Sequence, residues 1–353
     1  MTDFNRTPGT PSGKSHAPIH AIDLRRRRML AALGAIPLAA GFGTLLALPR
    51  SARAATGGTV IEGRDGWLYP GWESLTDDAT DACLKNVDLI HSAAQKLAAR
   101  KILCVVAIAP LKARACAANL PAGVTLPAPM QKRFAAMHAH GNAIGLPIVD
   151  SEAAFATLAP DVDSFVRADY HWSGHGAEAV AARAATRIAE AGPLPGTAGT
   201  GAKLGAWTEE VHYGDLAELL APQQKKEIGK DHFIVRMVAQ QSALLDNAPD
   251  VVQVVGNSMV QPYLGFTQKL SNALDRPVGL TWTFGDTGPW KTLLNYLEGP
   301  AFKSNPPYAI VWQFNEGQMM NGPAAAGQWD ASSVMAEDAW LARVEKAVGS
   351  AGA

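Results

Sequence analysis

Cysteine is scarce in this chain: Cys83, Cys104 and Cys116 are the only three in 353 residues. Three thiols allow at most one intramolecular disulfide, in any of three pairings, and leave one over, so a disulfide framework is excluded. Cys104 lies inside the apolar run from Ile102 to Ile108 and is expected to be a buried small hydrophobe. None of the three sits in a His and Asp constellation, which argues against thiol catalysis. Charge is sparse as well, at 18% of residues with a formal net of −1, while 48% are hydrophobic. That composition excludes a disordered chain and supplies ample material for one large globular domain or two small ones. A basic face is missing, which excludes nucleic-acid binding. There is no internal repeat. His171 and His175 stand four apart with Glu178 three further on, but Gly174 lies between them and no glutamate follows the first histidine. A metal pair of the zinc-protease kind is therefore not expected.

What is present begins with an export signal over residues 1–54. Arg25 to Arg28 precede an uncharged stretch from Met29 to Leu48, and Ala52-Arg53-Ala54 forms a small-x-small cleavage site. Arg26 and Arg27 before Met29-Leu30 resemble the twin-arginine signature, and Arg50 and Arg53 near the cleavage site fit that route. An uncleaved anchor is the rival reading, since the apolar stretch is long enough to span a bilayer. Without residues 1–54, 23 lysines and arginines stand against 30 aspartates and glutamates, a net of −7.

From Asp81 onward helical and extended patterns alternate. A helix carrying Leu84, Val87, Ile90 and Leu97 runs into a strand over 101–109, and Pro129 opens a helix to about His140. Leu146 to Val149 is a short strand, with Asp150 better read as a cap than as an active residue. A helix from His175 to Ala191 is followed by a Gly-, Pro- and Thr-rich linker over 192–205. Strands are expected at 251–255, 278–283 and 308–314, with helices around 289–297 and 333–348. Alternating strand and helix implies an α/β fold, a parallel sheet with helices on both faces. Ligands then bind at the carboxyl ends of the strands.

Two runs carry chemistry. The first is the β-branched strand that breaks at Gly256-Asn257-Ser258, followed by an apolar stripe of Tyr263, Phe266, Leu270 and Leu274 with Pro262 in the first turn. This places the Ser258 hydroxyl near a helix N-terminus, where free N–H groups favour an oxyanion. The second is Asp169-Tyr170-His171-Trp172. Asp169 is placed to hold one imidazole nitrogen of His171 and leave the other free to take a serine proton. A serine at a strand-to-helix turn is alone more often a cap than a nucleophile, and the paired Asp169 and His171 shift that balance.

Asp169-Tyr170-His171-Trp172 followed by Ser173-Gly174-His175-Gly176-Ala177, and later by Val255-Gly256-Asn257-Ser258, resembles the alginate O-acetyltransferase family of SGNH-hydrolase-like periplasmic enzymes. Gly63-Arg64-Asp65-Gly66-Trp67-Leu68, Ala109-Pro110-Leu111-Lys112 and Gly214-Asp215-Leu216 match in the same order, so the likeness spans roughly 60–316. The Asp-His block precedes the serine block, the reverse of ordinary SGNH esterases, so a permuted motif order on an SGNH-like fold is implied for 55–353. The family usually has aspartate where Asn257 stands, and a basic residue where Gly317 follows Glu316. The resemblance implies an O-acetyltransferase that moves acetyl through acetyl-Ser258 onto a polysaccharide hydroxyl, with a membrane-embedded acetyl-donor protein as partner and no cofactor or metal. It further implies Asn315 as an oxyanion donor, with Asn257 beside it. A carbohydrate esterase with the same triad and a non-catalytic glycan-binding subunit are the alternatives. The acidic mature chain favours a neutral or weakly charged glycan. Trp67, Trp72, Trp172, Trp282, Trp290 and Trp312 are candidates to line a sugar groove, most of them expected in the core, and Trp172 is the favoured substrate contact because it adjoins His171.

Overall fold

A computed structural model describes residues 59–238 and 249–351. The export signal and its two alternative fates lie outside them. Strands β1 (Val60–Glu62) and β2 (Leu68–Pro70) form an antiparallel pair. The main sheet is made of β3 (Leu103–Ala109), β6 (Val252–Gly256), β7 (Val278–Trp282) and β8 (Ala309–Asn315), all parallel, in the order β3-β8-β6-β7. In the chain between β3 and β6, β4 (Leu204–His212) and β5 (Asp231–Val238) make a separate antiparallel pair.

The central strands are apolar at nearly every position because both faces are covered. In β3, Val105, Ala107 and Ala109 belong to one core while Cys104, Val106 and Ile108 belong to the other. β8 divides likewise, with Ala309 and Val311 on one side and Ile310, Trp312 and Phe314 on the other. This two-residue alternation sends successive side chains to opposite faces of the sheet. The first core is roofed by helices Gly174–Glu190 and Phe266–Leu274, through Val180, Ala184, Ile188, Phe266 and Leu270. The second is roofed by Thr80–Ala98, Gly288–Leu297 and Glu337–Gly349, through Val87, Ile90, Leu293, Leu297, Trp340 and Val344. No described helix is long and apolar enough to cross a membrane.

Most expected elements are found within a few residues, and four points differ. The segment from Leu146 to Val149 makes a single parallel bridge, Ile148 to Val106, rather than a strand. The β4–β5 pair was not foreseen, because its mixed buried and exposed pattern lacks a clean alternation. All three cysteines are buried and free, so the possible disulfide does not form. Ser258 does not open an α-helix: Ser258–Val260 and Pro262–Leu264 are successive 3₁₀ turns, and the helix starts at Phe266 after Gly265 at φ 82°. The helix-dipole argument for Ser258 therefore falls away, since such an effect is confined to the first turn. Asp150 caps the short helix Ser151–Phe155 by accepting from the Ala153 N–H at 2.9 Å.

Candidate active site

β6 carries Ser258 to the carboxyl end of the sheet. Gly256 is needed there for space: a Cβ would lie 2.7 Å from Gln313 Oε1 and 2.9 Å from Gln313 Cβ. That closeness lets Gln313 Oε1 accept from the Asn257 N–H at 3.1 Å. Asn257 then caps the first 3₁₀ turn, its Oδ1 accepting from the Met259 N–H at 2.8 Å.

Ser258 Oγ lies 2.8 Å from His171 Nε2, and His171 Nδ1 lies 2.7 Å from Asp169 Oδ1. A short Asp-His segment and a serine 87 positions further on thus form one continuous hydrogen-bonded run. Asp169 is buried and its remaining capacity is filled: Oδ1 also accepts from the His171 N–H, and Oδ2 from the Asp215 N–H at 2.8 Å. Burial opposes its charge, but the His171 ring and these donors outweigh burial and hold the carboxyl below its ordinary range. Burial likewise tends to lower the His171 pKa, whereas the charge and hydrogen bond of Asp169, and then Asp215, carry it up to about 9.

The loop holding Asp169 is pinned by Lys112, the first residue of the short helix Lys112–Ala115 that follows β3. The three N–H groups of its buried ammonium are shared among the carbonyls of Leu68, Val166, Arg167 and Asp169, all at 2.7–2.8 Å, and the ammonium lies over Trp67 and Tyr69 at 5.2 and 5.6 Å. Burial is the largest influence on this group and draws its pKa down to about 8. Gly214 permits the approach of the Asp215 segment, because a Cβ there would sit 2.3 Å from the Ala168 carbonyl oxygen.

Behind Ser258 lies an amide network. Asn257 Nδ2 donates to Asn315 Oδ1 at 2.9 Å and to Gln318 Oε1 at 2.8 Å. Both its amide hydrogens are thereby used, so Asn257 is a brace and cap rather than an oxyanion donor. Asn315 Nδ2 donates to Tyr170 Oη at 2.8 Å, and Tyr170 Oη in turn donates to Glu73 Oε1 at 2.8 Å. Glu73 is buried, its Oε2 has no hydrogen-bond partner, and burial above all pushes its carboxyl up to about 7.

Trp172 is corrected outright. It is fully buried, donates to the Met259 carbonyl at 2.7 Å and stacks on Phe266 at 5.6 Å, so it supports the Ser258 turn from within the core and reaches no substrate. Trp67, Trp290 and Trp312 are buried as well, while Trp72 is exposed and Trp282 half-buried. Glu316, which Gly317 follows, is itself buried and paired. Arg114 and Arg133 both pair with the buried Glu316 carboxylate, which also accepts from the Leu111 N–H at 2.9 Å. His175 does not meet His171; it packs on Trp207 at 4.2 Å. Asp169, His171 and Asp215 each bring a possible ligand atom within 4.8 Å of the others, an arrangement that the hydrogen-bonded Asp-His pair accounts for.

Sequence reasoning passed over Lys112, Asp215, Gln313, Gln318 and Glu73. Signals existed for three of them: Lys112 and Asp215 lie in the matching blocks, and Gln313 is a polar residue inside an apolar strand. Glu73 offered none.

A parallel sheet with helices on both faces, carrying a serine at the end of an inner strand and an Asp-His loop beside it, defines an SGNH-hydrolase-like α/β protein, here with the Asp-His loop first. Residues 60–316 match the family described as "SGNH hydrolase-like domain, acetyltransferase AlgX", and the chain belongs to that family. The probable alginate O-acetylase AlgJ of Pseudomonas fluorescens is 30% identical over 282 residues, 73% of this chain and 67% of that protein. Its namesake from Pseudomonas aeruginosa is 26% identical over 276 residues, 73% of this chain and 69% of the relative. Among solved structures, the O-acetyltransferase domain of Pseudomonas putida AlgJ matches with a TM-score of 0.67 at 24% identity, covering 82% of this chain and 99% of that one. Pseudomonas aeruginosa AlgX matches at 0.59 and 16% identity, covering 85% and 70%. These structural likenesses establish the shared fold.

Proposed function

We propose that this chain is an O-acetyltransferase that carries an acetyl group on Ser258 and passes it to a hydroxyl of an exopolysaccharide in the periplasm. The observation that carries the reading is the unbroken contact from Asp169 through His171 to Ser258, at 2.7 and 2.8 Å, in a member of an acetyltransferase family. In the first half-reaction Ser258 Oγ attacks the acetyl carbonyl of the donor while His171 Nε2 takes its proton and Asp169 stabilises the imidazolium. His171 returns the proton to the departing group as the donor C–O bond breaks. In the second, His171 deprotonates a sugar hydroxyl, the new ester bond forms, and Ser258 recovers its proton as it leaves. The tetrahedral oxyanion is assigned to the backbone N–H of Ser258 and the amide hydrogen of Asn315 that Tyr170 does not take. The twin-arginine-like segment supports an exported enzyme, and export in turn calls for a membrane-embedded protein to deliver acetyl groups, since acetyl-coenzyme A stays in the cytoplasm.

The test is mass spectrometry of the purified protein with an activated acetyl ester, wild type beside Ser258→Ala, with and without oligosaccharides. One acetyl group on Ser258 that moves to a sugar supports the reading. Release only as acetate in the presence of several acceptors points to an esterase, and the lack of any Ser258-dependent acetylation sinks the triad assignment.

A further inference from the structure

Chemistry fixes the direction of every hydrogen bond in the network behind Ser258. The Met259 N–H can only donate, so Asn257 turns its Oδ1 to it and its Nδ2 to Asn315 Oδ1 at 2.9 Å. Asn315 Oδ1 also accepts from Gln313 Nε2 at 3.1 Å, which leaves the nitrogen end of the amide to face Tyr170 Oη at 2.8 Å. An amide nitrogen donates and does not accept. The Tyr170 oxygen is therefore the acceptor, and its own proton goes to Glu73 Oε1 at 2.8 Å. One run of side chains thus leads from the turn after Ser258 to a residue three positions past β2. Among the described residues, the second Asn315 amide hydrogen is the only donor of this run without a protein partner. Glu73 makes no side-chain hydrogen bond except the one to Tyr170, and its Oε2 is buried and unpartnered. The chain leaves room for it: a Cβ at Gly317 would lie 3.0 Å from Glu73 Oε1. A half-satisfied buried carboxyl is costly and calls for a reason.

We propose that Glu73 and Tyr170 are positioning residues for acetyl transfer: Glu73 fixes the Tyr170 hydroxyl, and that hydroxyl holds the Asn315 amide with its second hydrogen aimed at the oxyanion. Neither touches the reacting atoms. The inference deepens the acetyl-transfer reading and rests on its assignment of Asn315 as an oxyanion donor. Without the Tyr170 oxygen the amide is held only at its own oxygen end, and its plane is free to turn about the broad terminal torsion of an asparagine. A donor that must be reoriented as charge develops stabilises the oxyanion less than one already in place. Burial above all pushes the Glu73 carboxyl up to about 7. Its Oε1 accepts from Tyr170 with or without a proton on Oε2, so an amide at this position can do the same work.

The test is a double-mutant cycle on the rate of acetyl-Ser258 formation, with an activated acetyl ester at varied concentration. Wild type is compared with Tyr170→Phe, Glu73→Leu, Glu73→Gln, Asn315→Ala and the Tyr170→Phe, Asn315→Ala double variant. Asn315→Ala is expected to lower the maximal rate about a hundredfold. Tyr170→Phe and Glu73→Leu lower it about tenfold, with the half-saturating ester concentration within about twofold of wild type. In the Asn315→Ala background Tyr170→Phe slows the reaction by less than about twofold more, because its effect passes through the amide already removed. Glu73→Gln restores the rate to within about threefold of wild type, since its amide oxygen accepts from Tyr170. The pH midpoint of the reaction is unmoved in Tyr170→Phe, which a disturbed Asp169 and His171 pair would shift. The proposal is overturned if Tyr170→Phe slows Asn315→Ala as much as it slows wild type, if it moves the midpoint, or if Glu73→Gln is as slow as Glu73→Leu. Should Glu73→Leu fail to fold, Tyr170→Phe decides. Wild type that acetylates Ser258 while Asn315→Ala does so equally fast overturns the oxyanion assignment and this inference but leaves the transfer reading. Absence of acetyl-Ser258 in wild type overturns the transfer reading, and the positioning role with it.

Discussion

Asp215 approaches His171 at the ring nitrogen already engaged by Asp169, with its Oδ2 3.7 Å from Nδ1. One imidazole therefore faces two carboxylates. Asp215 is also the residue whose backbone N–H donates to Asp169 Oδ2 and whose Oδ1 accepts from the Tyr170 N–H at 2.7 Å. It braces the loop through hydrogen bonds and biases the base through its charge. Partial loss of hydration against the Asp169 loop, and next the charge of Asp169, raise the Asp215 pKa to about 6, although the side chain stays partly in water.

Replacement of Asp215 by Asn keeps the backbone donor and a side-chain acceptor but removes the charge. A negative neighbour favours the imidazolium, so its loss lowers the His171 pKa and more of the ring is a free base at neutral pH. Serine acetylation in wild type is expected to rise with pH through about 9, and in Asp215→Asn the midpoint moves down by roughly half to one unit, as suits a half-exposed charge at this range. A pH–rate profile for acetyl-Ser258 formation measures it; an unmoved midpoint contradicts the electrostatic role.

Asp169→Asn leaves the shape of the loop but replaces the acceptor that holds the Nδ1 proton. A loss on the order of 10³- to 10⁴-fold in acetyl-ester turnover is expected, with far-UV circular dichroism unchanged. A loss under tenfold indicates that Asp169 only shapes the loop.

Lys112→Met removes the donor that four carbonyls share at 2.7–2.8 Å and leaves them buried without it. Destabilisation of roughly 3 kcal/mol or more is expected from urea unfolding. Wild-type stability in this variant means that the carbonyls find other partners.

Glu73 binds its proton more tightly in the folded chain, at about 7 against an ordinary value of 4.5. Its contribution to stability is therefore complete below the ordinary glutamate range and is lost as pH rises through about 7. Glu73→Gln should flatten the fall in melting temperature between about pH 4.5 and 7. Parallel slopes in the two proteins rule out Glu73 as the source.

The parts legible in the sequence are those that local chemistry encodes. β3, β6 and β8 are apolar and β-branched because both sheet faces are covered, and their alternation tells which neighbours share a core. The runs around Asp169, His171 and Ser258 carry residue types suited to acyl transfer, and the structure joins them. The turn at Ser258 is not legible, because a helical stripe from Tyr263 to Leu274 does not reveal the left-handed Gly265 that divides it from the preceding turns. The place of Trp172 is not legible either, because adjacency in sequence to His171 does not fix which way a side chain points, and here the indole turns inward to the Met259 carbonyl.

Local period and turn chemistry thus determined the fold class and the approximate places of the strands, and together with the family resemblance they brought forward Asp169, His171 and Ser258 as candidates. Only the tertiary structure decided how those groups are held: Asn315 against Tyr170 across 145 positions, Lys112 under the Asp169 loop, Arg114 and Arg133 on Glu316, and Asp215 beside His171. The reason is physical. A hydrogen bond or ion pair between distant segments depends on how helices and loops pack around the sheet, and no spacing within one segment records that packing.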